Sequence, residues 1–327
     1  MSVLQRLKGV VFSAKLTLME FGYLSKHFGS SDTMADEEKL RGLLIMQTHI
    51  IEKGLSLRDV RAGFGQPKVK NILSKLKEYI NRYDNPSFVE FVLTNVCRYI
   101  SFQQENSIDI KDIEERYAGV LAKAKEKWPG FDVTNNIVAG TFSFTREEFT
   151  KAVDAPFPEF FKSRHSVRQF ADTPVDEAKI REALDLCRYT PSACNRQPWK
   201  VTVSFDKTMI DKILTWQHGS RQFKDMVSCV LVVSGSAHPF FGYEYHQHYV
   251  NAGMYTMSLL LALHYQQLGA IPLNVVFDRK QLKEISDICG FDDGELPVTM
   301  IAVGNLDDSF KVACSYRFPY ESYTRFI

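Results

Sequence analysis

Residues 190–199 read TPSACNRQPW and run on into KVTVSF at 200–205. The stretch joins two kinds of local order: a small, polar loop stiffened by Pro191 and Pro198, then the alternation of a strand. Ser192 and Asn195 offer short hydrogen-bonding groups from that loop. Cys194 raises a second reading, a nucleophile, which needs a general base and a stabilised thiolate. No motif ties His218, His238, His246, His248 or His264 to it.

Working outward, residues 157–327 alternate helices and strands. PVDEAKIREALDLCRYT opens a helix at Pro174, and DMVSCVLVVSG is a near-continuous apolar run suited to a strand buried on both faces. HYVNAGMYTMSLLLALHYQQLG predicts a helix over 248–268 stopping at Gly269, apolar around much of its circumference and so destined for the core or a dimer interface. IPLNVVF and LPVTMIAVGN supply two more strands. The pattern is that of an α/β or α+β domain on a central sheet.

Residues 1–150 follow mostly helical spacing. Helices are expected over 35–53, through KVKNILSKLKEYINRY, from Pro86 onward, and through KDIEERYAGVLAKAKEKW. Between the first two, LSLRDVRAGFGQPKV breaks the period with two glycines and a proline and reads as a loop. The segment HIIEKGLSLRDVRAGFG gathers His49, Glu52, Lys53, Arg58 and Arg61, either as ordinary helix-surface charge or as a polar site. At the start of the chain, Leu4, Leu7, Val11, Ala14, Leu18 and Phe21 mark an amphipathic helix, expected to pack on the protein's own core. Peripheral membrane contact through residues 1–28 is the alternative, since basic amphipathic helices bind anionic lipid. The run is too interrupted by Arg6, Lys8 and Lys15 for a span.

Lys plus Arg number 40 against 39 Asp plus Glu, which gives no global charge bias toward nucleic acid, so any anion must be recognised locally. The six cysteines form no CxxC pair and no zinc spacing, so no metal site is expected and a reducing cytoplasm is the simplest setting.

Local anion recognition has a candidate in FKSRHSVRQFADTPV, where Arg164, Ser166 and Arg168 bring two fork-shaped cations and a hydroxyl. Were this segment helical at its start, both arginines would share a face. RHSVRQF, a helix beginning PVDEAKI, then PSACNRQPW leading into a strand together resemble the nitroreductase-like flavoprotein family. The closing GNLDDSFKVACSYRFPYE is similar too, and the resemblance spans about residues 157–327. It implies an α+β sandwich around a central, mostly antiparallel sheet, here preceded by an all-helical N-terminal region over residues 1–150. It also implies an FMN-dependent enzyme that forms a homodimer with the cofactor at the interface.

Residue by residue, the resemblance assigns Arg164, His165, Ser166 and Arg168 to the phosphate and nearby parts of FMN, with Arg317 joining at the phosphate end. Pro191, Ser192, Ala193 and Asn195 match a loop reaching the flavin from the partner subunit, while Gln197 and Trp199 would hold it to the sheet. Cys194 becomes a small packing residue. Pro272, Leu273 and Asn274 match the segment against the flavin's reactive edge, although well-known members carry Glu-Gly where this chain has Asn274-Val275. Ser315 stands where many carry lysine, and Arg221 could supply a compensating cation. The implied chemistry is ping-pong: NADH or NADPH reduces FMN and leaves, and a small-molecule acceptor such as a nitroaromatic or quinone follows, with no protein acid or base as a catalytic residue. Without a GxGxxG after a strand, the nicotinamide donor is expected to bind only transiently. Other readings are a divergent member that dehalogenates or consumes flavin, a non-catalytic protein using its N-terminal helices for interaction, and a Cys194-dependent transferase.

Overall fold

The computed structural model of the protein describes residues 10, 11, 13–15, 17, 18, 21, 37–133, 139–240, 244 and 246–327. Four helices come first: α1 (Glu37–Leu55), α2 (Gln66–Arg82), α3 (Pro86–Glu105) and α4 (Lys111–Lys127). Their stripes at spacings of three and four close into one core. Leu40, Leu44 and Ile51 of α1 meet Ile72, Leu73, Leu76 and Ile80 of α2 and the apolar face of α3. Pro86 begins α3 at a position where a missing N–H is harmless, and the Asn85 side chain accepts a hydrogen bond from the Phe88 N–H at 3.1 Å. The chain's end returns to this bundle: Tyr316 packs on Phe91 with ring centroids 4.8 Å apart, and Phe318 lies beside Phe88.

The first half also contains a strand. β1 (Thr141–Thr145) pairs antiparallel with β6 (Ser309–Ala313), Phe142 opposite Val312 and Phe144 opposite Phe310. α5 (Arg146–Lys151) follows β1 through a capping box between Thr145 and Glu148. TFSFT lies in a region whose neighbours are all helical, yet its alternation puts Phe142 and Phe144 on one face.

The central sheet has the order β2 (Trp199–Ser204), β3 (Cys229–Ser236), β5 (Glu295–Asn305), β4 (Leu268–Leu273), with every pairing antiparallel. β3 is buried at every residue, as its unbroken apolar run requires. On one face, α7 (Glu177–Cys187) and α9 (Gln247–Tyr265) pack on Leu231, Val233 and Ile301. On the other, α8 (Lys207–Ile213), α10 (Arg279–Cys289) and the β1–β6 ribbon cover Val230, Val232 and Met300. The fold is thus α+β with a mostly antiparallel sheet, here wholly so, preceded by helices. α6 (Phe157–Ser163) leads from α5 into the segment described below.

Three boundaries differ from the sequence reading. α9 ends at Tyr265, and Gly269 lies inside β4 rather than capping the helix. The turn is made by Gln267, which takes a left-handed φ of 59°. Gly269 is needed instead for room: a Cβ there would meet the Phe170 ring at 3.1 Å. β4 also stops at Leu273, so Asn274 and Val275 leave the strand. In the first amphipathic stretch, residues 10, 11, 13–15, 17, 18 and 21 are helical but exposed, Leu18 by 70% and Phe21 by 68%, so this described part does not pack on the core. Leu4 and Leu7 lie outside the described residues. Among the described residues, no helix is long and apolar enough to cross a membrane.

Candidate functional site

The motif containing Arg164 and Arg168 is not helical. α6 ends at Ser163, and Arg164 is already extended at φ −68°, ψ 120°. The i,i+4 argument for a shared face therefore fails. What places the segment is the sheet: the Val167 N–H donates to the Ala270 carbonyl at 3.1 Å, Phe170 bridges to Leu306, and the Ala171 N–H donates to the Asn305 carbonyl at 2.9 Å. Val167 and Phe170 are fully buried as anchors. A Cβ on Gly304 would come within 2.6 Å of the Phe170 ring, so glycine there lets the segment lie against β5.

With its apolar residues pinned, the polar residues of the segment fall into two groups. Arg164, His165 and Arg317 lie within electrostatic reach of one another. Burial and then Arg317 push the Arg164 pKa down, while burial, Arg164 and Arg317 together lower His165 to about 4. His264, also lowered to about 4, joins them, its ring held 2.7 Å from the Ser163 hydroxyl. Both imidazoles are therefore neutral at pH 7. The Arg164 Nε–H is buried without a partner, and Arg317 is exposed, bonded through Nη1 to the Ser315 carbonyl. This is a cationic cluster short of negative charge. An aromatic wall seats His165: Phe142, Phe144 and Phe149 approach its ring at 5.6–6.3 Å between centroids.

Arg168 forms the second group. It is buried, and desolvation lowers its pKa to about 10 against the opposing pull of Glu52 on α1. Ser166, between the groups, is half-buried and its carbonyl accepts from Arg168 Nη1 at 3.4 Å.

The loop of residues 190–199 folds onto itself and onto α9. The Ala193 N–H donates to Asn251 Oδ1 at 2.8 Å, the Gln197 N–H to Ser192 Oγ at 3.0 Å, and Gln197 Nε2 to Asn195 Oδ1 at 3.1 Å. Arg196 pairs with Glu244 at 2.9 Å. Trp199 stacks on Tyr255 at 4.9 Å and ties the loop to the sheet layer, whereas Gln197 braces the loop internally. Cys194, Asn195 and Gln197 all take left-handed φ angles of 52°, 55° and 48°. Such backbone strain clusters at functional sites. Cys194 is exposed, so it is not the packing residue expected; the left-handed backbone turns its side chain outward. Pro191 and Asn195 are exposed, Ser192 and Ala193 half-buried.

At the end of β4, Pro272 and Asn274 are exposed and Leu273 is buried. Sequence reasoning missed Gln217. It is buried, and its Nε2 donates to both the Asn274 carbonyl at 2.7 Å and Asn274 Oδ1 at 2.9 Å, fixing that corner. Only a QHG turn after a helix marks it in the sequence. Arg221 is exposed in the turn beyond, and the electrostatics of Arg164, His165 and Arg168 do not include it. Ser315 is half-buried with a left-handed φ of 51°. A cleft of about 320 Å³ opens between residues 54–64 and the Gln222–Met226 turn, lined by Leu57, Arg58, Arg61 and Phe64.

Residues 161–235, which include Arg164, Arg168 and the loop of residues 190–199, match the model of the Nitroreductase family. A Streptococcus pyogenes protein named "Putative NAD(P)H nitroreductase Spy0809" is 28% identical over 202 residues, covering 50% of this chain and 96% of its own. Among solved structures, a nitroreductase family protein from Streptococcus pneumoniae is similar over 53% of this chain and 100% of its own, at 23% identity and a TM-score of 0.44. An FMN-dependent nitroreductase from Clostridium difficile covers 51% and 96%, at 19% identity and the same TM-score. Residues 161–235 of the chain are thus similar to the Nitroreductase family.

Proposed function

We propose that this protein is an FMN-dependent oxidoreductase that passes hydride from NADH or NADPH to a small-molecule acceptor, a nitroaromatic, quinone or similar compound. The observation that carries the reading is the juxtaposition of Arg164, in the segment matching the Nitroreductase family, with a second cation, Arg317, beside the neutral His165. Arg164, its pKa lowered by burial and by Arg317 and its buried Nε–H lacking an acceptor, suits a phosphate, which brings about −1.5 to −2 charge at neutral pH. The residues present fit the group.

When bound, FMN supplies the hydride chemistry. The chain's own residues would hold it. Arg164 and Arg317 take the phosphate, neutral His165 lines the cavity against its aromatic wall, and Ser166 and Arg168 extend the contact surface. Pro272, Leu273 and Asn274 form a corner that Gln217 keeps rigid. Pro191, Ser192, Ala193 and Asn195 of a second copy would complete the site, which accords with the exposure of Pro191 and Asn195. An apolar stripe along the exposed side of α9, Val250, Met254 and Tyr265, is suited to that homodimer. The acceptor would meet the cleft beside Arg61 and Phe64. On this reading residues 1–150 act as a helical region around a flavin-binding part at 157–327, in a cytoplasmic protein.

The test is the visible spectrum of the purified protein and its response to reductant. Bound flavin that bleaches anaerobically on addition of NADH or NADPH supports the proposal. A colourless preparation that also fails to bind added FMN sinks it.

A further inference from the structure

Two consecutive residues of the motif segment are hydrogen-bonded by the loop beyond α1, and the residue before them, Arg168, feels the charge of Glu52 on α1. Gln169 Nε2 donates to the Ser56 carbonyl at 2.8 Å, and Arg58 Nη2 donates to the Phe170 carbonyl at 2.7 Å while pairing with Asp307 at 2.6 Å. One helical turn before Ser56 stands Glu52, which acts on Arg168. Glu52 is 1% exposed and Arg168 6%, so their interaction is little screened by solvent. Glu52 Oε2 lies 2.9 Å from His49 Nδ1, but Oε1 is buried without a hydrogen-bond partner, as is the Thr48 hydroxyl beside it in sequence. Arg168 has one hydrogen bond among the described residues, the 3.4 Å contact to Ser166. Other charges nearby are cationic: Lys53, whose pKa is lowered by burial and by Arg168, and Lys68.

A buried guanidinium needs a counter-charge, because an uncompensated buried ion costs several kcal/mol. The charged group acting on Arg164 is another cation, Arg317, whereas Arg168 has Glu52. We propose that Glu52 is a positioning residue of the cofactor site: the helical region lends Arg168 the negative charge that holds it when FMN is absent, and this charge opposes the cofactor's own anion when FMN binds. The inference rests on the flavin reading and assigns the N-terminal helices a part in the site. It follows by linkage that removing the Glu52 charge destabilises the FMN-free protein more than the FMN-bound one.

The experiment uses the full-length Glu52→Gln protein, FMN titration read by quenching of flavin fluorescence, and thermal melts with and without FMN. A unit charge roughly 10 Å from an anion at an effective dielectric of about 20 is worth about tenfold in affinity. The expected result is a lower melting temperature without FMN, FMN affinity about tenfold tighter, and a larger FMN-induced rise in melting temperature. Glu52→Asp, which keeps the charge, returns both quantities toward wild type. A merely structural glutamate would lower stability and weaken FMN together, so unchanged or weaker FMN binding overturns the proposal. Should Glu52→Gln be recovered only unfolded, refolding with excess FMN restores it under the proposal, and failure of that rescue overturns it. Wild-type protein that binds no FMN in the same titration overturns the flavin reading itself, and this inference with it.

Discussion

The segment of residues 164–171 and the loop of residues 190–199 are built in opposite ways. The first is inlaid: its backbone bonds to β4 and β5, Val167 and Phe170 are fully buried, and two glycines make room for one ring. The second stands off, braced by its own side chains, with three left-handed residues and an exposed thiol. The inlaid segment holds its charged residues against the core of a single chain. The loop keeps a costly backbone shape, held by bonds within the loop and by the Ala193 N–H to Asn251 and Arg196 to Glu244. A site assembled from both would use the first as a fixed wall and the second as a contribution to another copy.

The difference can be broken at several points. Arg164→Ala removes the guanidinium at the heart of the cationic cluster. A lost hydrogen bond to a charged group amounts to about 1.5–3 kcal/mol, so FMN affinity is expected to fall about tenfold to a hundredfold while the fold persists. Equilibrium dialysis of FMN checks this; retention of wild-type affinity would remove Arg164 from the site. Gly304→Ala attacks the inlay itself. A methyl 2.6 Å from the Phe170 ring must displace it, and overpacking of this kind costs about 1–3 kcal/mol. A urea midpoint equal to wild type would show that Phe170 can move aside.

Acid sharpens the same contrast. His165 and His264 carry pKa values of about 4 in the folded protein against a usual 6.5, since burial and neighbouring arginines disfavour their protonation. The unfolded chain binds those protons first, so these groups leave stability at its full value above about pH 6.5 and erode it as pH falls toward 4. Denaturation profiles between pH 7.5 and 4.5 should show the loss, and replacing both histidines with glutamine should flatten it. The smallest effect is expected in the loop. Cys194→Gly relieves a left-handed backbone but adds freedom to the unfolded chain, for a net gain of about 0.5 kcal/mol. Flavin turnover should persist in this variant, and its abolition would revive a role for the thiol.

Much of this was legible in sequence where the signal is periodic. Val69, Ile72, Leu73, Leu76 and Ile80 read as one face of a helix and are buried together. The unbroken run through β3 read as a doubly buried strand and is one. The Arg-x-Ser-x-Arg spacing lies in the segment that matches the Nitroreductase family, but the helical reason given for a shared arginine face was wrong, since Arg164 is extended. TFSFT went unread as a strand because its partner, Ser309–Ala313, lies far along the chain and helical neighbours dominate the window. Glu52 read only as one of several charges in a possible polar segment and Gln217 only as part of a QHG turn, because the burial of a glutamine or glutamate is recognisable only by what surrounds it.

The sequence by itself determined the helices, the strands of the central sheet and the residues suited to a phosphate, because periodicity, proline and charge are properties of neighbours along the chain. Tertiary structure alone decided which of those residues share a space. It brought Arg317 to Arg164 across nearly half the chain, set Phe142 and Phe144 around His165, and placed Glu52 within electrostatic reach of Arg168. These are long-range juxtapositions, fixed by how sheet and helices pack, and burial then gives the charges their strength. TPSACNRQPW shows both halves of the lesson: its composition announced a rigid polar loop, and only the fold revealed that Cys194 faces outward on a strained turn.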